Sequence, residues 1–308
     1  MVERRDVDFE VEGGDRLRGW LFRPEMEVGP HPAISMAHGY AGVKEHGLDR
    51  FGRAFADAGF VTLVHDHRNF GASDGAVRND IDPWRQIGDW RRAISFLESL
   101  PEVDATRIGV WGTSYAGGHV LVLGATDRRI KAVVSQVPTI SGYEQGLRRI
   151  SPDAVGALEH QFDEDERAQL RGVPPQRQQV VNADSSVAAS YRTRDAISFY
   201  LQPLPEGAWK NEVTVRSGRL ARMYEPGYWA ARVGPTPLLM IVALADTITL
   251  TDLQLRAYEQ ILEPKKLVTV EGGHFDAYVE QFPRASAAAV SWFRQHLTAE
   301  AHEETKPS

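Results

Sequence analysis

The chain contains no cysteine among its 308 residues. Disulfide bonds, thiolate metal sites and a cysteine nucleophile are therefore excluded. The sequence also lacks a run approaching the roughly 20 apolar residues that a membrane-spanning helix needs. Its first residues, Met-Val-Glu-Arg-Arg-Asp, form no apolar signal segment. From these absences we expect a cytoplasmic protein that does not cross a membrane.

Positive charge is scarcer than negative charge: 35 Lys and Arg residues stand against 42 Asp and Glu residues, for a net charge of −7. Nucleic-acid-binding proteins usually carry a basic patch or stripe, so we expect a small-molecule substrate and no nucleic-acid partner. No glycine-rich phosphate-binding loop follows the first strand, so no cofactor is expected. His65 and His67 would direct two imidazoles to one side of a strand. No further ligand pattern surrounds them, and we expect no metal site.

What the sequence does contain is a regular alternation of strand and helix patterns. Residues 5–11 and 16–22 alternate apolar and polar side chains around a Gly-Gly-Asp turn, which predicts an antiparallel hairpin. Short apolar runs and segments with helical spacing follow. The predicted strands are 33–37, 61–64, 108–111, 132–137, 237–243 and 267–270, and the predicted helices are 51–58, 82–100, 116–125, 251–261 and 284–297. This alternation predicts an α/β fold with a mostly parallel central sheet flanked by helices.

The alternation stops at about Pro138 and resumes near Pro237. Between them the pattern is helical and polar, with an acidic cluster at 163–166 and scattered arginines. We therefore predict an inserted helical cap at residues 141–233 and an α/β core formed by residues 1–140 and 234–308. The polar residues after Thr298 have the composition of a frayed tail.

The most informative stretch joins the strand at 108–111 to the helix after it. Ser114 lies between them, with Gly112 before it and Gly117 after it. A serine at such a tight strand-to-helix turn is typical of a nucleophile elbow, in which strained backbone angles project the hydroxyl toward a substrate. The usual form, G-x-S-x-G, would place a glycine where this chain has Ala116. Taken alone, the pattern is also compatible with an ordinary serine in a strand-to-helix turn.

Two further residues follow strand ends in the order that a catalytic triad would need. Asp246 comes after the strand at 237–243, and His274 comes after the strand at 267–270. In open parallel sheets, functional residues lie at the carboxyl ends of strands. Alone, Asp246 is compatible with a helix cap and His274 with a loop residue. Together with Ser114 they predict a triad in which His274 accepts the serine proton and Asp246 orients the imidazole.

An anionic tetrahedral intermediate needs hydrogen-bond donors. The N–H of Tyr115 would lie at a helix N-terminus, and a second donor is expected in the loop after the strand at 33–37, where Tyr40 lies. We therefore predict an oxyanion hole formed by the backbone N–H groups of Tyr115 and Tyr40. The Tyr40 ring or hydroxyl contacting the substrate is a second interpretation.

Several other residues have plainer explanations. His119, on the helix after Ser114, is interpreted as a packing or surface residue. The arginines of the insertion are compatible with an acidic substrate, but acidic residues in the same segment balance them, which favours a solvated face. These arginines are Arg148, Arg149, Arg192, Arg194, Arg216, Arg219 and Arg222. The substrate-binding residues stay unassigned.

These motifs together resemble the α/β-hydrolase superfamily, over residues of about 5–140 and 234–297. The resemblance rests on His-Gly-Tyr-Ala-Gly at 38–42, the segment 66–75, Gly-Thr-Ser-Tyr-Ala-Gly at 112–117, Asp246 and Gly273-His274. Gly-x-Ser-Tyr-x-Gly is similar to the branch of dienelactone-hydrolase-like, cocaine-esterase-like and Xaa-Pro-dipeptidyl-peptidase-like enzymes and polyketide-modifying hydrolases and transferases. In that branch Ala116 is a normal variant. The resemblance implies a cap that shapes the substrate pocket.

Three functional interpretations follow. The first is a serine hydrolase that cleaves an ester, lactone or thioester bond of a small organic molecule through an acyl-Ser114 intermediate. The second is an acyltransferase or carbon–carbon bond hydrolase of secondary (polyketide) metabolism that uses the same triad. The third is a ligand receptor that retains the fold without catalysis. An exposed cap is also compatible with a homodimer.

Overall fold

The computed structural model describes residues 2–25 and 29–298. The polar tail predicted after Thr298 lies outside the described residues. Eight strands of the described part form one sheet in the order β1-β2-β4-β3-β5-β6-β10-β11. They are β1 (Glu3–Glu10), β2 (Arg16–Arg23), β3 (His31–Ala37), β4 (Val61–His65), β5 (Val103–Thr113), β6 (Ile130–Gln136), β10 (Leu238–Ala243) and β11 (Lys265–Val270).

The sheet is mostly parallel, as the alternating pattern predicts. The exceptions are the hairpin β1–β2 and the pair β2–β4, which are antiparallel. Every residue of β3, β4 and β10 is buried, which is typical of parallel strands covered on both faces. The short apolar runs of the sequence therefore lie in the middle of the sheet.

Helices that connect or follow these strands pack on the sheet and stabilise it by burying apolar faces. They are α1 (Leu48–Asp57), α2 (Pro83–Glu98), α3 (Tyr115–Thr126), α9 (Thr251–Gln260) and α10 (Phe282–Leu297). Helix α2 begins where the Asp82 carboxylate accepts hydrogen bonds from the N–H groups of Trp84 and Arg85. It buries Trp90, whose indole N–H donates to Ser35 Oγ of β3 at 2.8 Å.

The sequence pattern places Trp84 on the same buried face, but 54% of it stays exposed. Trp84 lies in the first turn of α2, where it meets only the edge of the Tyr224 ring, at a centroid distance of 6.0 Å. The apolar face that does pack against the sheet begins one turn later, at Ile87.

Between β6 and β10 the chain forms a separate set of shorter elements. These are α4 (Gly142–Arg149), α5 (Pro152–Leu170), β7 (Arg177–Val181), β8 (Ala189–Tyr191), α6 (Arg194–Tyr200), β9 (Val213–Thr214), α7 (Val215–Met223) and α8 (Gly227–Ala230). Their three strands form a small sheet in the order β8-β7-β9. The insertion that the sequence predicts as helical therefore contains a small sheet as well as helices. The division into a core and a cap at 141–233 stays a prediction.

The sequence pattern does not predict the small sheet, because its strands are short and rich in polar residues. In β7 only Val180 and Val181 are buried. The N–H groups of these two residues are satisfied by the side chain of Asn211, at 3.0 and 2.9 Å. A side-chain amide thus replaces part of a backbone ladder, and such a contact leaves no periodic signal in the sequence.

No helix in the described ranges 2–25 and 29–298 is both long and apolar enough to cross a membrane. The same residues contain no group of three or more His, Asp or Glu side chains placed to hold a metal ion. Asp66, between His65 and His67, accepts instead from Lys44 Nζ at 2.5 Å.

The buried histidines of the core include His38, His46, His65, His67 and His119. Burial lowers the pKa of each imidazole, to about 4 for His46 and His67. Both ring nitrogens of His65 lack a hydrogen-bond partner within the described residues. The folded chain therefore holds these rings neutral at pH values where an unfolded chain would protonate them.

Stability is expected to fall as the pH drops from about 6.5 toward 4. Above about pH 6.5 the histidines are neutral in both states. Below it the unfolded chain binds protons that the folded chain excludes, so the free energy of unfolding decreases by roughly 1.4 kcal/mol per pH unit for each such histidine. Urea unfolding at pH 7.5, 6.5, 5.5 and 5.0 measures this slope.

The variant His65→Leu removes one of these rings without breaking a hydrogen bond, so its slope should be shallower by about one proton. His160→Gln, at an exposed position, is the matched control. An unchanged slope in His65→Leu would contradict the assignment of the pH dependence to buried imidazoles.

Candidate active site

Ser114 lies between the end of β5 and the start of α3 in a left-handed backbone conformation, with φ 58° and ψ −118°. Its N–H donates to the carbonyl of Gln136 at 2.9 Å, and its carbonyl accepts from the N–H of Thr139 at 2.9 Å. Both partners lie at or just past the end of β6, the strand beside β5. The strained turn predicted for a nucleophile elbow is thus held by backbone hydrogen bonds to the neighbouring strand.

The two glycines that flank Ser114 are required by close contacts. A Cβ atom at Gly112 would lie 2.1 Å from the carbonyl oxygen of Ala116. A Cβ atom at Gly117 would lie 2.9 Å from Cα of Pro138. The turn therefore needs glycine at 112 and 117, while the small side chain of Ala116 is accommodated in the interior.

The structure brings together the three residues that the sequence predicts as a triad. Ser114 Oγ lies 3.0 Å from His274 Nε2. His274 Nδ1 lies 2.8 Å from Asp246 Oδ2. All three are buried, Ser114 being 7% exposed. The distances form one continuous hydrogen-bonded path from hydroxyl to carboxylate, which is the geometry needed to move the serine proton to an imidazole.

Asp246 is held in its ionised form. Burial alone would raise its pKa, but the adjacent His274 and hydrogen bonds from Thr249 outweigh that effect and lower the pKa to about 2. Asp246 Oδ1 accepts from the N–H groups of Ile248 and Thr249 at 2.8 and 2.9 Å. The carboxylate therefore stays negative beside the imidazole across the ordinary pH range.

Two side chains around this carboxylate are absent from the sequence-based prediction. Thr249 Oγ1 lies 2.7 Å from Asp246 Oδ2 and 3.2 Å from His274 Nδ1. Gln254 Nε2 donates to the same carboxylate oxygen at 3.1 Å. Both residues follow Asp246 in the chain, within the loop and first turn of α9, and a polar residue there has no distinctive spacing. Their hydrogen bonds fix the orientation of the carboxylate.

The loop after β3 approaches Ser114 closely. A Cβ atom at Gly39 would lie 2.6 Å from Ser114 Cβ and 3.0 Å from Ser114 Oγ. Tyr40 follows Gly39, and Tyr115 is the first residue of α3, so its N–H has no acceptor within the helix. Both residues therefore lie beside the hydroxyl, while their assignment to an oxyanion hole stays a prediction.

Side chains of the insertion hold the same loop. The Tyr200 hydroxyl donates to the carbonyl of Tyr40 at 2.6 Å. The Trp209 indole N–H donates to the carbonyl of Ala41 at 2.7 Å. The position of the loop beside Ser114 thus depends on residues about 160 positions later in the chain.

A cavity of about 530 Å³ lies between the core and the insertion. Its wall includes Tyr40 and Tyr115 from the core and Thr249, which contacts His274. The rest of the wall comes mainly from α4, α5, β8 and α7. The cavity therefore meets the immediate neighbours of the triad on one side and the insertion on the other, as expected of a substrate pocket.

His119 is a buried packing residue, as the sequence analysis proposes for this position. Its Nδ1 lies 2.8 Å from the Tyr224 hydroxyl, and its Nε2 lies 2.9 Å from Gln86 Oε1. These partners join α3 to α2 and to the segment after α7. Both ring nitrogens of His119 are thus engaged away from the triad, and His119 is not one of the described residues that line the cavity.

Residues 13–276 match the family described as X-Pro dipeptidyl-peptidase (S15 family). The quorum-quenching protein AidA of Acinetobacter baumannii is 31% identical over 297 residues, which cover 96% of each chain. The thiohydrolase of Eupenicillium brefeldianum is 29% identical, over 90% of this chain and 89% of that protein.

A third relative is known both by sequence and by structure under the name grgF. The polyketide transferase grgF of a Penicillium species is 30% identical, over 89% of this chain and 90% of that protein. The solved structure of the α/β hydrolase GrgF from Penicillium sp. sh18 superposes with a TM-score of 0.83 at 26% identity, covering 96% of this chain and 99% of that one. The resemblance therefore extends through the insertion as well as the sheet.

Substitution of Gly39 by alanine should impair Ser114 directly. The added Cβ would meet Ser114 Cβ at 2.6 Å, and displacement of the loop or the hydroxyl must follow. A misplacement of about 1 Å at a reacting group can cost on the order of 10²-fold in rate. We expect a fall of that size in the rate of labelling by a serine-directed fluorophosphonate, measured by intact-protein mass.

Gly88→Ala is the matched control, because no heavy atom lies within 4 Å of a Cβ built there in α2. It should label at the normal rate and unfold at a slightly higher temperature, since alanine favours a helix over glycine by about 1 kcal/mol. Equal labelling of both variants would show that the Gly39 contact does not constrain the hydroxyl.

Proposed function

The chain belongs to the X-Pro dipeptidyl-peptidase (S15) family of hydrolases, and from this premise we propose that it cleaves an ester, lactone or thioester bond of a small organic molecule through an acyl-Ser114 intermediate. The family match and the sheet topology confirm the sequence-based predictions of a hydrolase and of an α/β-hydrolase fold. The observation that carries the proposal is the hydrogen-bonded path Ser114–His274–Asp246, at 3.0 and 2.8 Å.

In the proposed first half-reaction, Ser114 Oγ attacks the carbonyl carbon of the substrate while its proton passes to His274 Nε2. The carbonyl oxygen becomes an oxyanion in a tetrahedral intermediate. When that intermediate collapses, the bond to the alcohol or thiol breaks, and the leaving group takes the proton from His274. The acyl group is then bonded to Ser114.

The second half-reaction repeats these steps with water. His274 takes a proton from the attacking water, a second tetrahedral intermediate forms, and its collapse returns that proton to Ser114 Oγ and releases the carboxylic acid. Asp246 stays ionised throughout and stabilises the imidazolium that forms twice in each cycle. The hydrogen bonds from Thr249 and Gln254 hold the Asp246 carboxylate in the orientation that lets it accept from His274.

For the oxyanion we propose the backbone N–H groups of Tyr115 and Tyr40. Tyr115 N–H lies at the N-terminus of α3, where the helix dipole favours negative charge. Tyr40 lies in the loop that approaches Ser114 to within van der Waals distance at Gly39. Two donors at fixed positions stabilise developing charge without reorganisation.

The family name suggests peptide substrates, but the cavity does not favour them. A dipeptidyl-peptidase needs a negative group to bind the peptide N-terminus, and the described residues that line the cavity include no Asp or Glu. Its charged side chains are arginines. An ester or thioester of a small molecule fits this wall better than a peptide with a free ammonium group.

An acyltransferase is the second candidate, as the relative named polyketide transferase indicates. The same acyl-Ser114 would then react with an alcohol, an amine or a carbon nucleophile instead of water. The observation that favours this alternative is the low exposure of Ser114, 7%, which limits the access of water to the acyl group. A homodimer and a cytoplasmic location remain predictions.

Fluorophosphonate labelling combined with ester turnover tests the proposal. The chain should give a single adduct and hydrolyse p-nitrophenyl esters, and Ser114→Ala should lose both. Ser286→Ala, at a buried serine in α10, is the control and should keep both. No adduct on the unmodified chain would refute the role of Ser114 and favour the receptor interpretation.

Adding a primary alcohol or hydroxylamine to the same assay separates hydrolysis from transfer, because both acceptors compete with water for the acyl-enzyme. We expect the carboxylic acid to remain the main product at low millimolar acceptor. An ester or hydroxamate as the main product there would establish the transferase alternative instead.

Asp246→Asn should lower kcat by about 10⁴-fold and leave KM within a few-fold, because the amide cannot stabilise the imidazolium. Steady-state kinetics with the best ester measures both constants. Asp276→Asn, in the short 3-10 helix Asp276–Tyr278 just after His274, is the control, because its carboxylate accepts from Gly273 N–H at 2.6 Å rather than from the imidazole. A loss in Asp246→Asn of less than tenfold would remove the carboxylate from the mechanism.

A further inference from the structure

The charged side chains on the wall of the 530 Å³ cavity share one sign. Three arginines line it, and the described lining includes no Asp or Glu. They are Arg149, Arg192 and Arg222. The net charge of the chain is −7. Composition alone therefore does not explain why the charged side chains of this cavity wall are all positive.

Three other arginines of the insertion have carboxylate partners. Arg148 pairs with Asp252 at 2.7 Å, and Arg216 pairs with Asp80 at 2.6 Å. Arg219 pairs with Asp163 at 2.6 Å and with Glu166 at 2.7 Å. For these residues the solvated, balanced face predicted from the sequence describes the structure well. The arginines that line the cavity differ from them.

Arg222, on α7, is the most enclosed of the three lining arginines, with 19% of its side chain exposed. Its Nη1 atom is buried and has no hydrogen-bond partner among the described residues. The nearest carboxylate contact joins Nη2 to Glu159 at 3.8 Å, beyond hydrogen-bond distance. The guanidinium faces α4 at Gly146, where a Cβ would lie 3.0 Å from Nη1. A buried guanidinium donor without an acceptor is costly unless a ligand supplies one.

Arg149 and Arg192 add positive charge where the cavity opens, since both are exposed. Arg149 lies over the Tyr191 ring at 5.1 Å and donates to the carbonyl of Ile248. Arg192 donates to the carbonyls of Asp184 and Val187 at 2.6 and 2.7 Å. The hydrogen-bond acceptors of these two guanidinium groups are neutral carbonyls, which fix the positions of the groups without forming an ion pair.

The Tyr115 hydroxyl supplies a further donor. It is buried, lines the cavity and has no hydrogen-bond partner among the described residues. Burial raises the pKa of Tyr115, so the hydroxyl keeps its proton. Tyr115 directly follows Ser114 in the chain, so this donor belongs to the residue next to the proposed acylation site.

We propose that this cavity selects substrates whose acyl part carries a second, anionic oxygen group, a carboxylate, which Arg222 binds with the Tyr115 hydroxyl while Arg149 and Arg192 attract it to the entrance. The inference rests on the proposed function, because it concerns the substrate of the acyl-Ser114 reaction. A planar guanidinium and a carboxylate form charge-assisted hydrogen bonds that are stronger in a partly buried site than in water. The distal anion fixes the orientation of the chain before the scissile carbonyl meets Ser114.

Two esters that differ only in charge test the proposal. Mono-p-nitrophenyl adipate has a free carboxylate, and p-nitrophenyl methyl adipate masks it as a neutral ester. We expect kcat/KM to be about tenfold higher or more for the carboxylate, in line with a hydrogen bond to a charged group. The difference should lie in KM and shrink with added salt, because the entrance arginines act through screened charge.

Variants on one helix locate the effect. Arg222→Met should lower kcat/KM about tenfold for the anionic ester and change it less than about threefold for the neutral ester. Arg222→Lys keeps the charge and should retain part of the preference. Arg219→Met, also on α7 but paired with Asp163 and Glu166 outside the cavity lining, should leave the preference unchanged. A preference equally strong in Arg222→Met would overturn the assignment.

Calorimetric binding to Ser114→Ala separates this inference from the proposed function, because it needs no turnover. Tighter binding of the anionic ester than of the neutral one, lost in Ser114→Ala/Arg222→Met, supports the carboxylate site even if the chain proves to be a transferase. Turnover of both esters at equal kcat/KM, with equal binding, overturns the inference and leaves the hydrolase intact. No adduct, no turnover and no selective binding would overturn both.

Discussion

The backbone of Ser114 is the constraint on which the site depends. A serine at φ 58° is strained, by about 1–3 kcal/mol. The strain is sustained because the end of β6 and the residues just after it hold Ser114 through two backbone hydrogen bonds, from Ser114 N–H to Gln136 and from Thr139 N–H to Ser114. Strands β10 and β11 then end where Asp246 and His274 must lie. The sheet, rather than side-chain packing alone, sets the positions of the three groups.

The parts of the fold that can be predicted from the sequence are those in which one local requirement fixes the residue type. Buried parallel strands need continuous apolar runs, so β3, β4 and β10 are visible in the sequence. A sharp turn needs glycine, so Gly112 and Gly117 mark the elbow. The positions of Ser114, Asp246 and His274, each just past the carboxyl end of a strand, follow from the rule that functional residues lie at that edge of a parallel sheet.

The parts that sequence reasoning misses depend on contacts between distant residues. Asn211 completes the hydrogen bonds of β7 from 30 residues away, and no spacing rule predicts that. Thr249 and Gln254 donate hydrogen bonds to the Asp246 carboxylate, and only the folded chain brings these side chains to it. The arginines of the insertion look alike in the sequence, and only their partners separate Arg222 from Arg219.

The hydrogen bonds from Tyr200 and Trp209 to the loop beside Ser114 bear on how such enzymes diverge. An insertion that only covered the pocket would be an interchangeable part, and replacing it with a relative's insertion would change selectivity alone. Here the insertion also donates to the carbonyls of Tyr40 and Ala41. A transplanted insertion without those two donors would leave buried carbonyls unsatisfied and release the loop. An exchange of the insertion would therefore change the reaction rate as well as the substrate selectivity. A chimaera keeps the loop in place only if its insertion retains Tyr200 and Trp209.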